Sequence, residues 1–323
     1  MPYILFLLGF VLLIKSADVL VDGAGGLARR LGVSALVVGL TIVSFGTSAP
    51  ELLVTLLASS QGSADMAIGN VLGSNIANIL LILGVAGVIT PLGVGRGTVW
   101  KEIPFAALAT LLLGFMANDA WLDGRGFSDL ARIDGLVLLS FFAIFIYYTF
   151  SISKVEGQGD GEVKPAKSVT RAVVMVVLGL AGLALGGRWV VSGATEIARG
   201  FGVSEALIGL TIVSLGTSLP ELVTSAVAAY RKEVDIAVGN VVGSNIFNVF
   251  LVLGVSSTVR PLSFNPSLAP DLLVGIAVSL LLFVVMFIGH RHVLQRWQAA
   301  LFLVIYFAYV GSLTLRHLPT GLQ

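Results

Sequence analysis

Charge is scarce in this chain and cysteine is missing altogether. Only 11% of the 323 residues are Asp, Glu, Lys or Arg, against 56% hydrophobic, and the mean hydropathy is +0.99. Soluble domains carry about 25% charged residues, so that class is excluded and a polytopic membrane protein remains. The lack of cysteine rules out disulfides and thiolate metal sites. The formal net charge of +1 offers no basic surface for nucleic acid. His290, His292 and His317 all fall at the ends of predicted segments, so none is buried where it could activate a serine nucleophile. Met1–Leu20 is apolar but has no basic leading region and no small-residue cleavage site. It carries Lys15 and Asp18, and it reads as a first span rather than a removed signal.

What the chain does have is long apolar runs. With about 20 apolar residues needed per span, ten spans are expected, at 3–22, 33–59, 65–89, 101–118, 133–152, 169–190, 203–229, 235–257, 269–289 and 296–315. Ser153–Ser168 (SKVEGQGDGEVKPAKS) is Gly-rich and charged and reads as a solvated linker. Its acids Glu156, Asp160 and Glu162 fit no calcium-loop spacing. The expected organisation is a first half at 1–152, a cytoplasmic linker at 153–168 and a second half at 169–323.

The halves are copies. Gly39–Leu52 (GLTIVSFGTSAPEL) returns as Gly209–Leu222 (GLTIVSLGTSLPEL), identical at 12 of 14 positions with an offset of 170. The same offset carries Ala67–Gly84 onto Ala237–Gly254, identical at 12 of 18. Five spans per half is an odd number, so the second copy enters the membrane inverted. The expected fold class is therefore an all-α polytopic membrane protein of ten transmembrane helices in two inverted five-helix repeats. Placing both termini outside leaves twelve Lys and Arg in inner loops (among them Arg29, Arg30, Arg231 and Lys232) and five in outer ones (Arg125, Arg132, Arg199, Arg260 and Arg316). The positive-inside rule favours that orientation, with both termini periplasmic or extracellular and the protein in the cell (inner) membrane.

Glu51 lies inside an apolar run, where a charge costs at least about 2.5–3.5 kcal/mol. Pro50 has no N–H and frees the Gly46 carbonyl, while Thr47 and Ser48 add hydroxyl oxygens. A broken helix with converging carbonyl, hydroxyl and carboxylate oxygens is expected. Thr217, Ser218, Pro220 and Glu221 repeat it. A proline kink with a backbone-bonded hydroxyl would explain the proline and threonine but not the glutamate. In the next span Asn70, Ser74 and Asn78 form one polar stripe, copied by Asn240, Ser244 and Asn248. Interhelical hydrogen bonding is the alternative for Ser74, Asn78, Ser244 and Asn248. Asn75 and Asn245 point elsewhere and read as structural, and Gly69, Gly73, Gly239 and Gly243 read as packing positions. Asp18 and Arg188 are equivalent positions and read as interfacial, like Glu196, Glu205 and Asp271.

An all-oxygen site with two carboxylates suits a hard cation. Calcium takes 6–8 such oxygens, whereas zinc wants nitrogen or sulfur and magnesium a smaller octahedral cage. Two carboxylates neutralise one Ca2+ or two Na+, so the cavity could hold either load but not both, as an exchanger requires.

The repeated GTS-x-PE and GN-x-x-GSNI-x-N motifs resemble the alpha repeats of the Ca2+/cation antiporter superfamily, specifically its prokaryotic sodium/calcium exchangers. The resemblance runs over the ten-span layout of the whole chain. It implies Ca2+/Na+ antiport by alternating access, with ion ligands at Thr47, Ser48, Glu51, Ser74 and Asn78 and at Thr217, Ser218, Glu221, Ser244 and Asn248. Asn248 stands where several members carry an aspartate. An amide there leaves no charge for a co-transported potassium, so exchange is expected to be K+-independent and electrogenic. The linker is too short for the calcium-sensing domains of eukaryotic exchangers. No enzyme activity and no cofactor is expected beyond the transported ions Ca2+ and Na+, the expected partner is the lipid bilayer, and the sequence is compatible with a monomer without fixing the oligomeric state. A Ca2+/H+ antiporter is the main alternative, because crowded carboxylates favour proton binding. A passive channel would not need a two-carboxylate trap, and an intramembrane hydrolase would use paired aspartates in a different motif.

Overall fold

A computed structural model describes residues 2–122, 124, 126–156, 168–201 and 214–316. In chain order its main helices are α1 (Pro2–Leu31), α2 (Ala35–Thr47), α3 (Ala49–Ser60), α4 (Ala64–Ile89), α5 (Arg96–Met116), α6 (Arg132–Glu156), α7 (Val169–Gly200), α8 (Ser214–Thr217), α9 (Leu219–Tyr230), α10 (Val234–Val259), α11 (Pro266–Val285) and α12 (Arg296–Arg316). Eight are long and apolar enough to cross a membrane, and the bent pair α2–α3 makes a ninth span among the described residues. The span expected at 203–229 falls partly on residues outside them and is represented by α8 and α9. Most of the linker, Glu205 and His317 also lie outside the described residues.

The helices α4 and α10 form the centre and are the most enclosed of the spans. They carry the two GSN stretches, and their apolar faces supply Ile68, Leu72, Ile76, Val241, Ile246 and Phe250 to the main core. Around them α12 packs on the C-terminal part of α4, α6 on the C-terminal part of α10, and α5 on α11. Two short antiparallel ladders interrupt the all-helical picture. β1 (Leu92–Gly93) pairs with β4 (Val293–Leu294), and β2 (Asp129–Leu130) pairs with β3 (Leu262–Ser263), each joining the first half to the second.

The first helix of each half is longer than hydropathy implied. The runs expected at 3–22 and 169–190 are helices of 30 and 32 residues. The helix runs on through Gly23, Gly25 and Gly26, because tertiary contact overrides their weak propensity. Small residues fall every seventh position at Gly9, Ser16 and Gly23 in α1, and at Gly179, Gly186 and Gly193 in α7. A Cβ on Gly23 would stand 3.0 Å from the backbone nitrogen of Val176, and one on Gly186 would stand 3.0 Å from the Gly9 carbonyl oxygen. The low positions of α1 meet the high positions of α7, so these two sequence-equivalent helices run antiparallel in backbone contact.

The interfacial residues also gain definition. Asp18 pairs with Arg231 after α9 rather than simply meeting solvent, and it does not pair with its equivalent Arg188. Asp271 accepts from the Tyr309 hydroxyl at 3.0 Å, and Tyr148 donates to the buried Glu102 in the same way in the other half. Glu196 is exposed.

A second seam joins α2 to α10. A Cβ on Gly239 would lie 2.8 Å from the Leu36 carbonyl oxygen and 3.1 Å from the Gly39 Cα. One on Gly243 would meet the Leu40 carbonyl oxygen at 2.8 Å. The packing role expected for Gly239 and Gly243 is thus realised against backbone, which cannot rotate away. Gly239→Ala should therefore destabilise the protein by about 1–3 kcal/mol. Gly275→Ala, whose Cβ would meet only side chains at 3.6 and 3.8 Å, should leave the melting temperature unchanged or raised. Thermal unfolding of both variants in detergent checks the pair, and equal melting temperatures would remove the seam as a constraint.

Candidate functional site

Both halves break a helix two residues before the proline that precedes the acid, at Ser48 and Ser218. The axis turns by 46° between α2 and α3. At the break Ser48 has φ −83° and ψ 5°, and Ser218 has φ −88° and ψ 4°. Pro50 and Pro220 sit in the first turn of α3 and α9, where a missing N–H costs nothing. Glu51 and Glu221 follow in that same turn, at the helix end whose free N–H groups favour negative charge. Both are 1% exposed.

The two acids are served from opposite repeats. Ser48 donates to Glu221 Oε1 at 3.1 Å, and Ser218 donates to Glu51 Oε1 at 3.2 Å. The Thr217 hydroxyl lies beside Glu51, while Thr47 and Ser244 lie beside Glu221. Ser218 Oγ is also within 3.2 Å of Ser74 Oγ. Thr47 donates to the Asn240 Oδ1 at 3.0 Å. Asn240 in turn donates to Ser225 Oγ at 3.0 Å and to the Glu221 carbonyl at 3.4 Å, and Asn70 donates likewise to Thr55 Oγ1 at 3.0 Å. The polar stripe is therefore split by task. Asn70 and Asn240 brace α3 and α9, and Ser74, Asn78, Ser244 and Asn248 lie further along α4 and α10.

Asn78 and Asn248 stand at wide turns. The π-helical segments Asn78–Ile82 and Phe247–Leu253 interrupt α4 and α10 there, a local widening that recurs at functional positions. Asn78 Nδ2 donates to Asn245 Oδ1 at 2.9 Å, and Asn248 Nδ2 donates to Asn75 Oδ1 at 3.0 Å. Asn75 and Asn245, read from sequence as pointing elsewhere, thus touch the candidate residues directly. Ser44 is a further contributor that the sequence reading passed over. Its hydroxyl bonds the Gly39 carbonyl at 2.7 Å and the Asn240 carbonyl at 2.9 Å, tying α2 to α10. The signal for all three was a buried polar residue in a repeated motif, which needs a partner.

Among the described residues, the buried oxygens with no hydrogen-bond partner include Glu51 Oε2, Glu221 Oε2, Asn78 Oδ1, Asn248 Oδ1 and Ser244 Oγ. A buried acceptor without a donor costs about 1–3 kcal/mol, more for a charged group. Four of these oxygens are pure acceptors, two on the acids and two on amides, and the fifth is the Ser244 hydroxyl beside Glu221. Such a donor set fits a hard cation and offers nothing to a soft one.

Chains of known kind are similar throughout. The family model described as sodium/calcium exchanger protein matches residues 1–151 and 171–315. The inner membrane protein YrbG of Escherichia coli (strain K12) is 36% identical over 291 residues, covering 86% of this chain and 87% of that one. The sodium/calcium exchanger MaX1 of Methanosarcina acetivorans is 32% identical, covering 95% and 97%. A solved structure of the sodium-calcium exchanger NCX_Mj, soaked with 10 mM Na+ and zero Ca2+, superposes with a TM-score of 0.84 at 34% identity, covering 97% of this chain and 98% of that one. The matched stretches take in both broken helices and both GSN helices. This helical membrane chain belongs to the sodium/calcium exchanger family, whose members are transporters rather than enzymes.

Proposed function

We propose that the chain exchanges Na+ for Ca2+ across the membrane by alternating access, and that its ions bind among Glu51, Glu221, Thr47, Ser48, Thr217, Ser218, Ser74, Asn78, Ser244 and Asn248. The observation that carries this reading is the pair of buried acids, each held by a serine of the other repeat and each left with one carboxylate oxygen without a partner. Two carboxylates balance one Ca2+ or two Na+, and the amide and hydroxyl oxygens complete the coordination. Because each acid is bonded to the opposite half, a relative shift of the halves changes both coordination sets together. Family membership favours sodium over the proton as the counter-ion.

The same reading includes ten spans, arranged as a half at 1–152 and an inverted half at 169–323 joined by a cytoplasmic linker at 153–168. The antiparallel contact of α1 with its equivalent α7 supports inversion. Both termini then face the periplasm. Reporters inserted at Gly159 and fused after Gln323 should show cytoplasmic activity at the first and none at the second, and cytoplasmic activity at Gln323 would sink the inverted arrangement.

Glu51→Gln and Glu221→Gln each remove one charge with almost no change of shape. Each should lower sodium-driven calcium uptake into proteoliposomes by at least about thirtyfold, the equivalent of ~2 kcal/mol, with folding and insertion retained. Near-normal uptake in either variant would make that glutamate structural.

Position 248 is an amide, so two monovalent ions already neutralise the pocket. Any further sodium makes the loaded carrier positive, and exchange then responds to membrane potential by about 2.3 kcal/mol per charge per 100 mV. Calcium flux should run on sodium alone and change with an imposed potential. A strict potassium requirement would bring in an acid outside the pocket.

A further inference from the structure

Asn75 and Asn245 occupy equivalent positions in the two repeats and are each 3% exposed. Asn75 Nδ2 donates to the backbone carbonyl of Asn245 at 3.3 Å, and Asn245 Nδ2 donates to that of Asn75 at 3.4 Å. A carbonyl only accepts, so the NH2 end of each amide is fixed toward the other repeat's backbone. The oxygen end must then face the opposite way and needs a donor. It finds one in the next asparagine, Asn248 for Asn75 and Asn78 for Asn245. Those amides are in turn fixed, with nitrogen toward the asparagine pair and Oδ1 left without a donor. The orientation of Asn78 and Asn248 is thus dictated by a four-amide relay that starts from two backbone carbonyls.

We propose that Asn75 and Asn245 are positioning residues that aim the side-chain oxygens of Asn78 and Asn248 into the cation site, and that Asn75 obliges residue 248 to be a hydrogen-bond donor and hence not a carboxylate. The inference rests on the antiport reading for what the site carries. Its own content is a rule of compatibility between positions 75 and 248. A carboxylate at 248 would set one acceptor against another across 3.0 Å. Turning the Asn75 amide over would not relieve this, because its oxygen would then face the Asn245 carbonyl. A hydroxyl at 75 would relieve it, since it can donate to the carboxylate. The twin rule links 245 and 78. Two acids in the pocket is therefore a property enforced from outside the ligand set.

The test is a double-mutant cycle on the full-length protein, with Asn75→Ser, Asn248→Asp and the pair together. Two readouts are used, calcium-induced thermal stabilisation in detergent and calcium dependence of sodium-driven uptake in proteoliposomes. Asn248→Asp alone should weaken calcium half-saturation by about tenfold, and adding Asn75→Ser should recover most of that loss. Asn75→Ser alone should raise the calcium KM more than it lowers the maximal rate, because it frees a ligand amide to turn. In the recovered double variant the voltage dependence should fall, since a third acid offsets one positive charge. A purely structural role for Asn75 would give losses that multiply. Multiplying losses, or a fully active Asn248→Asp single variant, overturns the proposal. If Asn75→Ser does not fold, the Asn245→Ser and Asn78→Asp cycle reads the same rule with the same outcomes. Failure of the unmodified chain to couple calcium to sodium would refute antiport alone, and thermal stabilisation by calcium then still reads the coupling between 75 and 248.

Discussion

Two carboxylates enclosed at one place in an apolar helical bundle repel each other and have lost their water, and most of the local architecture answers that fact. The helix that carries each acid is interrupted so that the acid sits at a fresh N-terminus, where backbone N–H groups offset part of the charge. A serine at each interruption turns its hydroxyl to an acid. The flanking helices contribute oxygens that are themselves starved of donors. A buried pair of like charges with surplus acceptors is a poor resting arrangement for a structural core, and it becomes favourable only when a cation arrives.

Neither repeat can hold its acid alone. Glu51 takes its serine from the second repeat and Glu221 from the first, and the four asparagines alternate between halves in the same manner. The apolar core obeys the same logic, since α4 is covered by α12 and α10 by α6. The ladders β1–β4 and β2–β3 extend the exchange to the connecting loops. The two copies are therefore one folding unit by contact, although they are separable by sequence.

The parts of this that were legible in the sequence are those that physics makes conspicuous in one dimension. Glu51 and Glu221 stand out because lipid forbids an unsupported charge, and the broken helices follow from Pro50 and Pro220. The spans follow from hydropathy, although the first helix of each half runs beyond its apolar stretch where α1 and α7 pack together. Contacts between residues some 170 apart left no such mark. Ser48 and Ser218 read as oxygens for their own repeat's acid, yet each donates to the other's. Thr47 read as a ligand, and its proton is directed at Asn240. Asn75 and Asn245 looked structural because they lie one residue off the polar stripe, but each amide reaches the other repeat's backbone carbonyl and accepts from Asn248 or Asn78, contacts that only the packing of α4 against α10 creates.

The close approach of Gly39 and Gly239 has a bearing on heredity. Where the backbones of two copies touch with no room for a methyl group, a mutation on one side is felt at once on the other, and drift in either copy is checked by its neighbour. Stretches that face lipid escape that mutual surveillance. Both strongly matched pairs, Gly39–Leu52 with Gly209–Leu222 and Ala67–Gly84 with Ala237–Gly254, include a stretch that lies on this seam, as such surveillance would leave them. An ancestral duplication stays visible longest where its products lean on each other hardest.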